Sequence, residues 1–318
     1  MIVDVHTHTP THRDAVPPSE RRAYDRWRPD RAVVTTNSWA DYDEQLAAAD
    51  VSIVFNIALP DPLGGTGIPT DPARINESTA EFAAADPARR IGFLSVDPTA
   101  PGSIEEAERC RVELGLRGVK LGPNYQRFDP LGPAACELYR WAERHGLPIL
   151  FHQGTSPIRD APLRYAHPLT MDEIALAFPQ LRIVMAHMGH PWQRDTIAVI
   201  RKHPHVYADV SALPYRAWSF WECMRLASEW GATHKLLLGS DFPIATTAET
   251  IAALRDVNAI VEGTALPRVP EEEIEAIIHR DALAALGLER PAPGEASDAR
   301  GDASPPAGGP GDATEETR

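Results

Sequence analysis

Residues 148–152 read Pro-Ile-Leu-Phe-His and residues 182–187 read Arg-Ile-Val-Met-Ala-His, two short apolar runs that each end on a histidine. Runs of this length, apolar throughout rather than alternating, suit strands buried on both faces, as in a parallel sheet covered by helices. The same kind of run recurs at Ile2–His6, Ser52–Ile57, Ile91–Val96, Arg117–Leu121, Val206–Val210 and Lys235–Asp241. Between the runs lie amphipathic or Ala-rich helical stretches, among them Arg74–Ala85, Ile104–Leu114, Ala134–Arg144, Trp192–Lys202, Phe220–Trp230 and Ala248–Val261. Eight strands alternating with helices predict successive βαβ units, and eight is the number that closes a barrel. A doubly wound open sheet would be expected to show a glycine-rich phosphate turn after an early strand, and no G-x-G-x-x-G occurs. The expected fold is therefore α/β, a (β/α)8 barrel of the TIM type.

The barrel is expected to occupy residues 1–290. From Pro291 the composition turns to Pro, Gly, Ala, Ser and acidic residues, without large apolar side chains. Residues 291–318 are accordingly read as a disordered tail, unable to bury enough surface to offset the entropy of ordering. A hydrophobic fraction of 43% with 24% charged residues is that of a soluble globular protein. No apolar stretch approaches the ~20 residues of a membrane span, and the first residues lack the pattern of a signal peptide. Cys110, Cys136 and Cys223 are few, odd in number and widely spaced, so reduced thiols and a cytoplasmic location are expected. A net charge of -14 without a dense Lys/Arg cluster argues against nucleic acid and against an anionic membrane as partners. A small-molecule substrate is the partner expected.

Function is carried by where the polar residues fall on this strand map. His6 ends the first run and His8 follows two residues on, the spacing that puts two strand side chains on one side. His152 ends the fifth run, His187 the sixth and Asp241 the eighth. Each is the first strongly polar group after an apolar run, at the C-terminal rim where barrel enzymes assemble their sites. A single histidine at a strand end is usually a hydrogen-bonded structural residue. Five ionisable groups around one mouth are costly unless something compensates, and a divalent cation would. Three imidazoles, a carboxylate and a solvent molecule suit zinc or another borderline first-row metal.

The order of these residues, with the stretches GVKLGPNYQ, LPILFHQGTS, IVMAHMGHPW, VYADVSA and LLLGSDFP, resembles the amidohydrolase superfamily. More narrowly it resembles the amidohydrolase-related branch, which contains aminocarboxymuconate-semialdehyde decarboxylase, resorcylate-type decarboxylases and small lactone hydrolases. The resemblance spans Met1 to about Gly287. It implies that His6, His8, His152 and Asp241 bind one metal ion, most simply Zn2+. It implies that His187 stands beside them as a catalytic partner, with Asp241 also taking the proton of a metal-activated water. The activity implied is hydrolysis of a small organic amide, ester or lactone. The alternative is non-oxidative decarboxylation of an aromatic or unsaturated carboxylic acid, which needs a cationic anchor for a carboxylate near the mouth.

Several further residues are candidates for contact with substrate. Lys120 ends the fourth run; it either lines the pocket or, as in binuclear relatives, is carboxylated between two metals. Gln126, with Asn124 and Tyr125, follows the fourth run on a rim loop, and His190 follows the sixth as His-Pro-Trp. Arg159 and Arg164 follow the fifth run and are the arginines that could clamp a carboxylate. Trp39, Trp192, Trp218 and Trp221 could cover the mouth or simply pack. A homodimer is compatible with the resemblance, and the Trp218–Trp221 region could lie at its interface. A TatD-like nuclease also opens with H-x-H, but it would call for a glutamate on strand three or four and a basic rim. This chain has Lys120 there and is acidic. A non-catalytic metal-binding barrel is not suggested, since every ligand type is present in order.

Overall fold

A computed structural model describes residues 1–59 and 72–290. The expected tail, 291–318, lies outside the described residues. Eight strands follow one another: β1 (Val3–His8), β2 (Val51–Phe55), β3 (Arg90–Gly92), β4 (Val119–Leu121), β5 (Ile149–Phe151), β6 (Ile183–Met185), β7 (Val206–Asp209) and β8 (Leu236–Leu237). Each pairs parallel with its neighbour in two arcs, β1–β2–β3 and β4–β5–β6–β7–β8. Backbone bonds beyond the regular ladders join the arcs. Leu94 donates to Gly118 (2.8 Å) and Lys120 to Leu94 (2.7 Å) at one seam. Val5 donates to Leu238 (2.9 Å), Asp241 to His6 (2.8 Å) and His8 to Phe242 (2.9 Å) at the other. The sheet is thus a closed barrel and leaves no strand edge bare.

The strands are apolar throughout because alternate side chains enter two different cores. Val5, Ile53, Phe55, Ile91, Phe93, Leu150, Val184 and Leu237 fill one cluster inside the barrel. Their neighbours Val119, Leu121, Ile149, Phe151, Ile183, Met185, Val206 and Leu236 pack outward into the cluster shared with the helices. The helices that follow the strands are Pro72–Ala85, Ser103–Val112, Pro133–Arg144, Leu169–Ala177, Gln193–Lys202, Ala217–Glu229 and Thr247–Arg255, while Trp39–Gln45 precedes β2 and Glu271–Ile278 and Ala282–Leu286 come after β8. The helix Thr247–Arg255 starts on a capping box. Thr246 Oγ1 accepts from Glu249 N (3.1 Å), and the Glu249 carboxylate accepts from Thr246 N (2.9 Å). No helix among the described residues is long and apolar enough to cross a membrane.

Strand ends differ from the sequence reading in one informative way. β1 runs on to His8, so both histidines are on the ladder, with His8 paired to Phe55. The sixth and eighth strands stop early, at Met185 and Leu237. The residues beyond turn sharply: His187, Met188 and Asp241 have φ of 57°, 45° and 62°. Left-handed backbone at non-glycine residues is costly and clusters at functional sites. Apolar composition shows where a buried run ends but not where its hydrogen bonds end. The helix expected over Ala248–Val261 likewise ends at Arg255, and a separate turn covers Ala259–Val261.

An insertion between β1 and the first helix carries a small antiparallel ribbon, Ala23–Tyr24 with Val33–Val34. Arg28 fastens it over the barrel mouth. Its guanidinium bonds Asp30 (2.8 and 2.6 Å) and the carbonyl of Ile244 (3.1 Å), and lies over the Tyr215 ring at 4.5 Å.

The β3–β4 seam makes one position intolerant. A Cβ on Gly118 would overlap the Phe93 ring inside the barrel. Gly118→Ala is expected to lower stability by about 1–3 kcal/mol, the usual cost of overpacking a filled core. Urea unfolding of the two proteins would show a lower midpoint at an unchanged slope.

Candidate metal and catalytic centre

The closure between β8 and β1 assembles the first part of the site. The left-handed turn at Asp241 brings its Oδ1 to 3.3 Å from His6 Nε2 and 3.4 Å from His8 Nε2. Gly239 lets this segment pass close: a Cβ there would sit 3.0 Å from His6 Cβ and 3.2 Å from Asp209 Cβ. Ligand atoms of His6, His8 and Asp241 lie within 4.8 Å of one another. His152 follows β5, its amide bonded to the Leu121 carbonyl at 2.7 Å. Among the described residues it belongs to no such three-residue group and is joined to the cluster through His187, whose Nε2 is 3.2 Å from His152 Nδ1. Lys120 on β4 is buried, with Nζ 3.4 Å from His6 Nε2 and 4.6 Å from the centre of the Phe55 ring.

Asp209, at the end of β7, was missed in the sequence. Its Oδ2 is 2.9 Å from His6 Nδ1. Its Oδ1 accepts the amides of His187 (3.0 Å) and Ser211 (3.1 Å) and the Ser211 hydroxyl. The apolar run of the sequence extends to Val210, so Asp209 stands within it rather than at the rim. A stricter reading, that a lone aspartate in Val-Tyr-Ala-Asp-Val must find a partner when buried, would have found it. Although Asp209 forms a second compact group with His6 and His187, both its oxygens are already engaged, so it orients ligands rather than being one.

The proton pattern tests whether the residues fit a metal. A carboxylate only accepts, so His6 donates Nδ1–H to Asp209, and in the neutral ring, the form that binds a metal, its Nε2 has a lone pair facing Asp241 and Lys120. His152 Nε2 is buried with no hydrogen-bond partner among the described residues. Leaving such an atom bare costs on the order of 1–3 kcal/mol. Bare nitrogens beside a carboxylate are what a cation-binding site requires, and His6, His8, His152 and Asp241 fit one.

Burial dominates the titration of these groups. It pushes the His187 imidazole down to about 4, with His6 and Lys120 nearby in the same sense and Asp241 opposing. Burial also lowers His8, despite Asp241 beside it, and takes His152 well below the ordinary range, with His187 adding to the effect. Burial takes Lys120 down to about 7 against the pull of Asp209 and Asp241. For Asp241 burial works upward, yet His187, His6 and His8 hold the carboxyl well below its usual value. Asp209 is likewise held down, against burial, by His6 first and by His187 and Ser211. His6 alone is raised: burial and Lys120 lower it, but Asp209 and Asp241 together prevail.

A cavity of about 380 Å³ opens onto this cluster. His6, His8, Lys120, His152, His187 and Asp241 line it at the barrel end, and Tyr24, Arg26, Trp27, Tyr125, Tyr215 and Arg216 line it elsewhere. His190 also lines it, with Nδ1 held 2.7 Å from Gln193 Nε2. Four residues expected near substrate lie elsewhere, and of these Asn124 is buried and absent from the cavity wall. Gln126 is buried and braces loops: its Oε1 accepts from Gly122 N (2.9 Å), and its Nε2 donates to Ala58 O (2.8 Å) and Val96 O (2.9 Å). Arg159 is exposed and absent from the cavity wall, and Arg164 stacks on Tyr165 outside it. Trp27, rather than the four tryptophans considered from the sequence, covers the mouth. Arg26, Trp27 and Arg216 belong to loops whose path no periodicity reveals.

A family model described as amidohydrolase matches residues 3–288, and the chain belongs to that family. The family is metal-dependent and its members include decarboxylases and hydrolases. The chain is 25% identical over 247 residues to the 2-amino-3-carboxymuconate-6-semialdehyde decarboxylase of Dictyostelium discoideum, covering 66% of this chain and 68% of that one. Among solved structures, a probable 2-pyrone-4,6-dicarboxylic acid hydrolase from Acinetobacter baumannii, with citric acid bound, aligns at a TM-score of 0.61 and 16% identity, covering 90% of this chain and 99% of that one. A 2,6-dihydroxybenzoate decarboxylase in complex with 2,6-dihydroxybenzoate aligns at 0.61 and 15% identity, covering 90% and 98%. At these identities the likenesses establish the barrel fold, which is the one expected.

The titration pattern predicts acid sensitivity of the metal-free protein. A histidine with a lowered pKa binds fewer protons folded than unfolded, so its contribution is present above the unfolded value of 6.5 and is lost as pH falls toward the folded one. His187 sets the window from about 6.5 to about 4, with His8 and His152 acting in the same direction and His6 opposing. Unfolding free energy of chelator-treated protein should fall across that window, by at most about 1.4 kcal/mol per pH unit for each group. His187→Asn should flatten the slope in urea titrations run from pH 7 to pH 4.

Proposed function

We propose that this protein is a zinc-dependent carboxy-lyase that removes CO2 from a small aromatic or unsaturated carboxylic acid. The observation that carries this reading is that cationic side chains, Arg26 and Arg216, line the same cavity as the His/Asp cluster. Decarboxylation requires that its substrate's carboxylate be held, and guanidinium is the group best shaped to hold it. Arg216 is kept in place by the Ala212 carbonyl and by the Tyr215 ring, 4.6 Å away. Tyr24, Trp27, Tyr125 and Tyr215 supply flat apolar walls suited to a planar substrate. The relative matched in sequence is itself a decarboxylase.

A divalent ion held by His6, His8, His152 and Asp241 would supply Lewis acidity, polarising a substrate oxygen and making a nearby water more acidic. The chain's own groups manage position and protons. The arginines fix the substrate's anionic group. Asp241, ionised and mostly buried, takes a proton from water and passes it to the carbon that bears the carboxyl group, and the hydroxide left behind is reprotonated from solvent. As the C–H bond forms, the C–C bond breaks, its electron pair returns to the unsaturated system, and CO2 leaves. His187 keeps its Nε2 beside the same space and assists that transfer. Lys120, next to His6, adds positive potential to the floor.

A second reading, hydrolysis of a lactone bearing carboxylates, keeps the same residues. Arg26 and Arg216 would again hold the anionic group, and Asp241 would accept the proton of a water adding to the carbonyl carbon. A panel of aromatic hydroxy acids, unsaturated dicarboxylic acids and lactones separates the two by CO2 release. The expected result is CO2 evolution that chelation abolishes and zinc restores. Ring opening without CO2 would establish the second reading, and turnover undiminished in metal-free protein would sink both. Arg216→Ala should lower kcat/KM by about 10- to 100-fold, the loss of one charge-assisted bond of about 1.5–3 kcal/mol. His152→Ala should lose bound zinc by elemental analysis.

A further inference from the structure

The proposed reaction makes no direct use of Ser211, yet its hydroxyl is fully buried between Asp209 Oδ1 and His187 Nδ1. A hydroxyl has one hydrogen to give. Asp209 Oδ1 already accepts two backbone amides, so it is a carboxylate oxygen without a proton of its own. The hydroxyl hydrogen therefore points to Asp209. Turned the other way, Ser211 Oγ and the anionic oxygen would face each other with no proton between them. Ser211 Oγ is then left to accept, and the atom 2.7 Å away, His187 Nδ1, must carry the hydrogen. In its neutral form His187 keeps Nε2 bare, toward His152 Nδ1.

We propose that Ser211 is a positioning residue: it relays the charge of Asp209 to His187 and holds that imidazole as the Nδ1–H tautomer, so that Nε2, rather than Nδ1, is the nitrogen that assists the proton transfer made by Asp241. One carboxylate thereby orients two rings, His6 through a direct bond from Oδ2 and His187 through an interposed hydroxyl. The tautomer of a histidine is set by the bond its other nitrogen makes, and solvent alone favours the opposite form. The backbone amide of His187, bonded to the same Oδ1, keeps the left-handed turn in register with the relay.

This role for the proton rests on the assignment of His187 under the proposed function, but the tautomer does not, so the two are tested apart. Nitrogen-15 NMR of the full-length protein saturated with zinc, with the His187 signals identified by their loss in His187→Asn, reads the tautomer directly. The expected pattern is a protonated Nδ1 and an unprotonated Nε2 in the wild type, an Nδ1 proton that shifts upfield and exchanges faster with solvent in Ser211→Ala because it has lost its acceptor, and recovery in Ser211→Thr. A wild-type His187 protonated at Nε2 overturns the relay, whatever the enzyme is found to catalyse. In turnover, Ser211→Ala should lower kcat by about 10- to 100-fold, the usual effect of losing such a supporting partner, at unchanged KM and zinc content. Loss of that Nδ1–H bond with undiminished kcat overturns the catalytic half of the proposal.

Discussion

The backbone hydrogen bond from Asp241 to His6, 2.8 Å long, joins the end of the last strand to the first. It closes the barrel and, in the same contact, sets the carboxylate of Asp241 beside the imidazoles of His6 and His8. The buried carboxyl of Asp4 reinforces the joint, accepting from Ser240 N at 3.0 Å, Thr247 Oγ1 at 2.6 Å and His6 N at 3.2 Å. The site therefore exists only when the two ends of the fold have met. A cation bound by groups that far apart in the chain stabilises the closed barrel over every open form. Structure and metal affinity are thus two readings of one closure.

Electrostatics explains why the closure needs a cation. Asp209 and Asp241 are held ionised at the barrel end, while the rings of His152 and His187 are kept neutral by burial. Lys120 offers only part of a charge, since burial holds its amine at about 7. Two buried carboxylates so arranged carry an excess of negative charge, expensive in a medium of low polarity. A divalent ion would balance it without disturbing a single hydrogen bond of Asp209, whose acceptor positions are already filled by the protein.

How much of this was legible follows from where each residue sits. His6, His8, His152, His187 and Asp241 could be read because each ends an apolar run, and a parallel barrel gathers run ends on one face. Asp209 stands one residue before the end of its run as written, so the same logic passed over it. The sequence also could not show that the chain turns into left-handed backbone at His187 and Asp241, since neither is glycine or asparagine. Gln126 looked like a free loop amide, yet three backbone groups occupy it. Arg26 and Arg216 had no pattern to mark them; only the folding of their loops over the mouth distinguishes them from Arg159.

The site accordingly divides along a mechanical line. The metal-binding candidates stand on strands or the first residues after them, where the barrel ladder fixes the backbone to within a hydrogen bond. The cations and aromatics that line the cavity stand mostly on the insertion before the first helix and on the segment that follows β7. Arg28 binds those two surfaces together, clasping Asp30 within the insertion while lying on the ring of Tyr215. Arg28 thus couples the two loops of the wall. Changes of substrate can be made in that wall at little cost to the barrel end, because none of its side chains carries a bond that closes the barrel. A family that contains both decarboxylases and hydrolases on one fold is what such a division of labour allows.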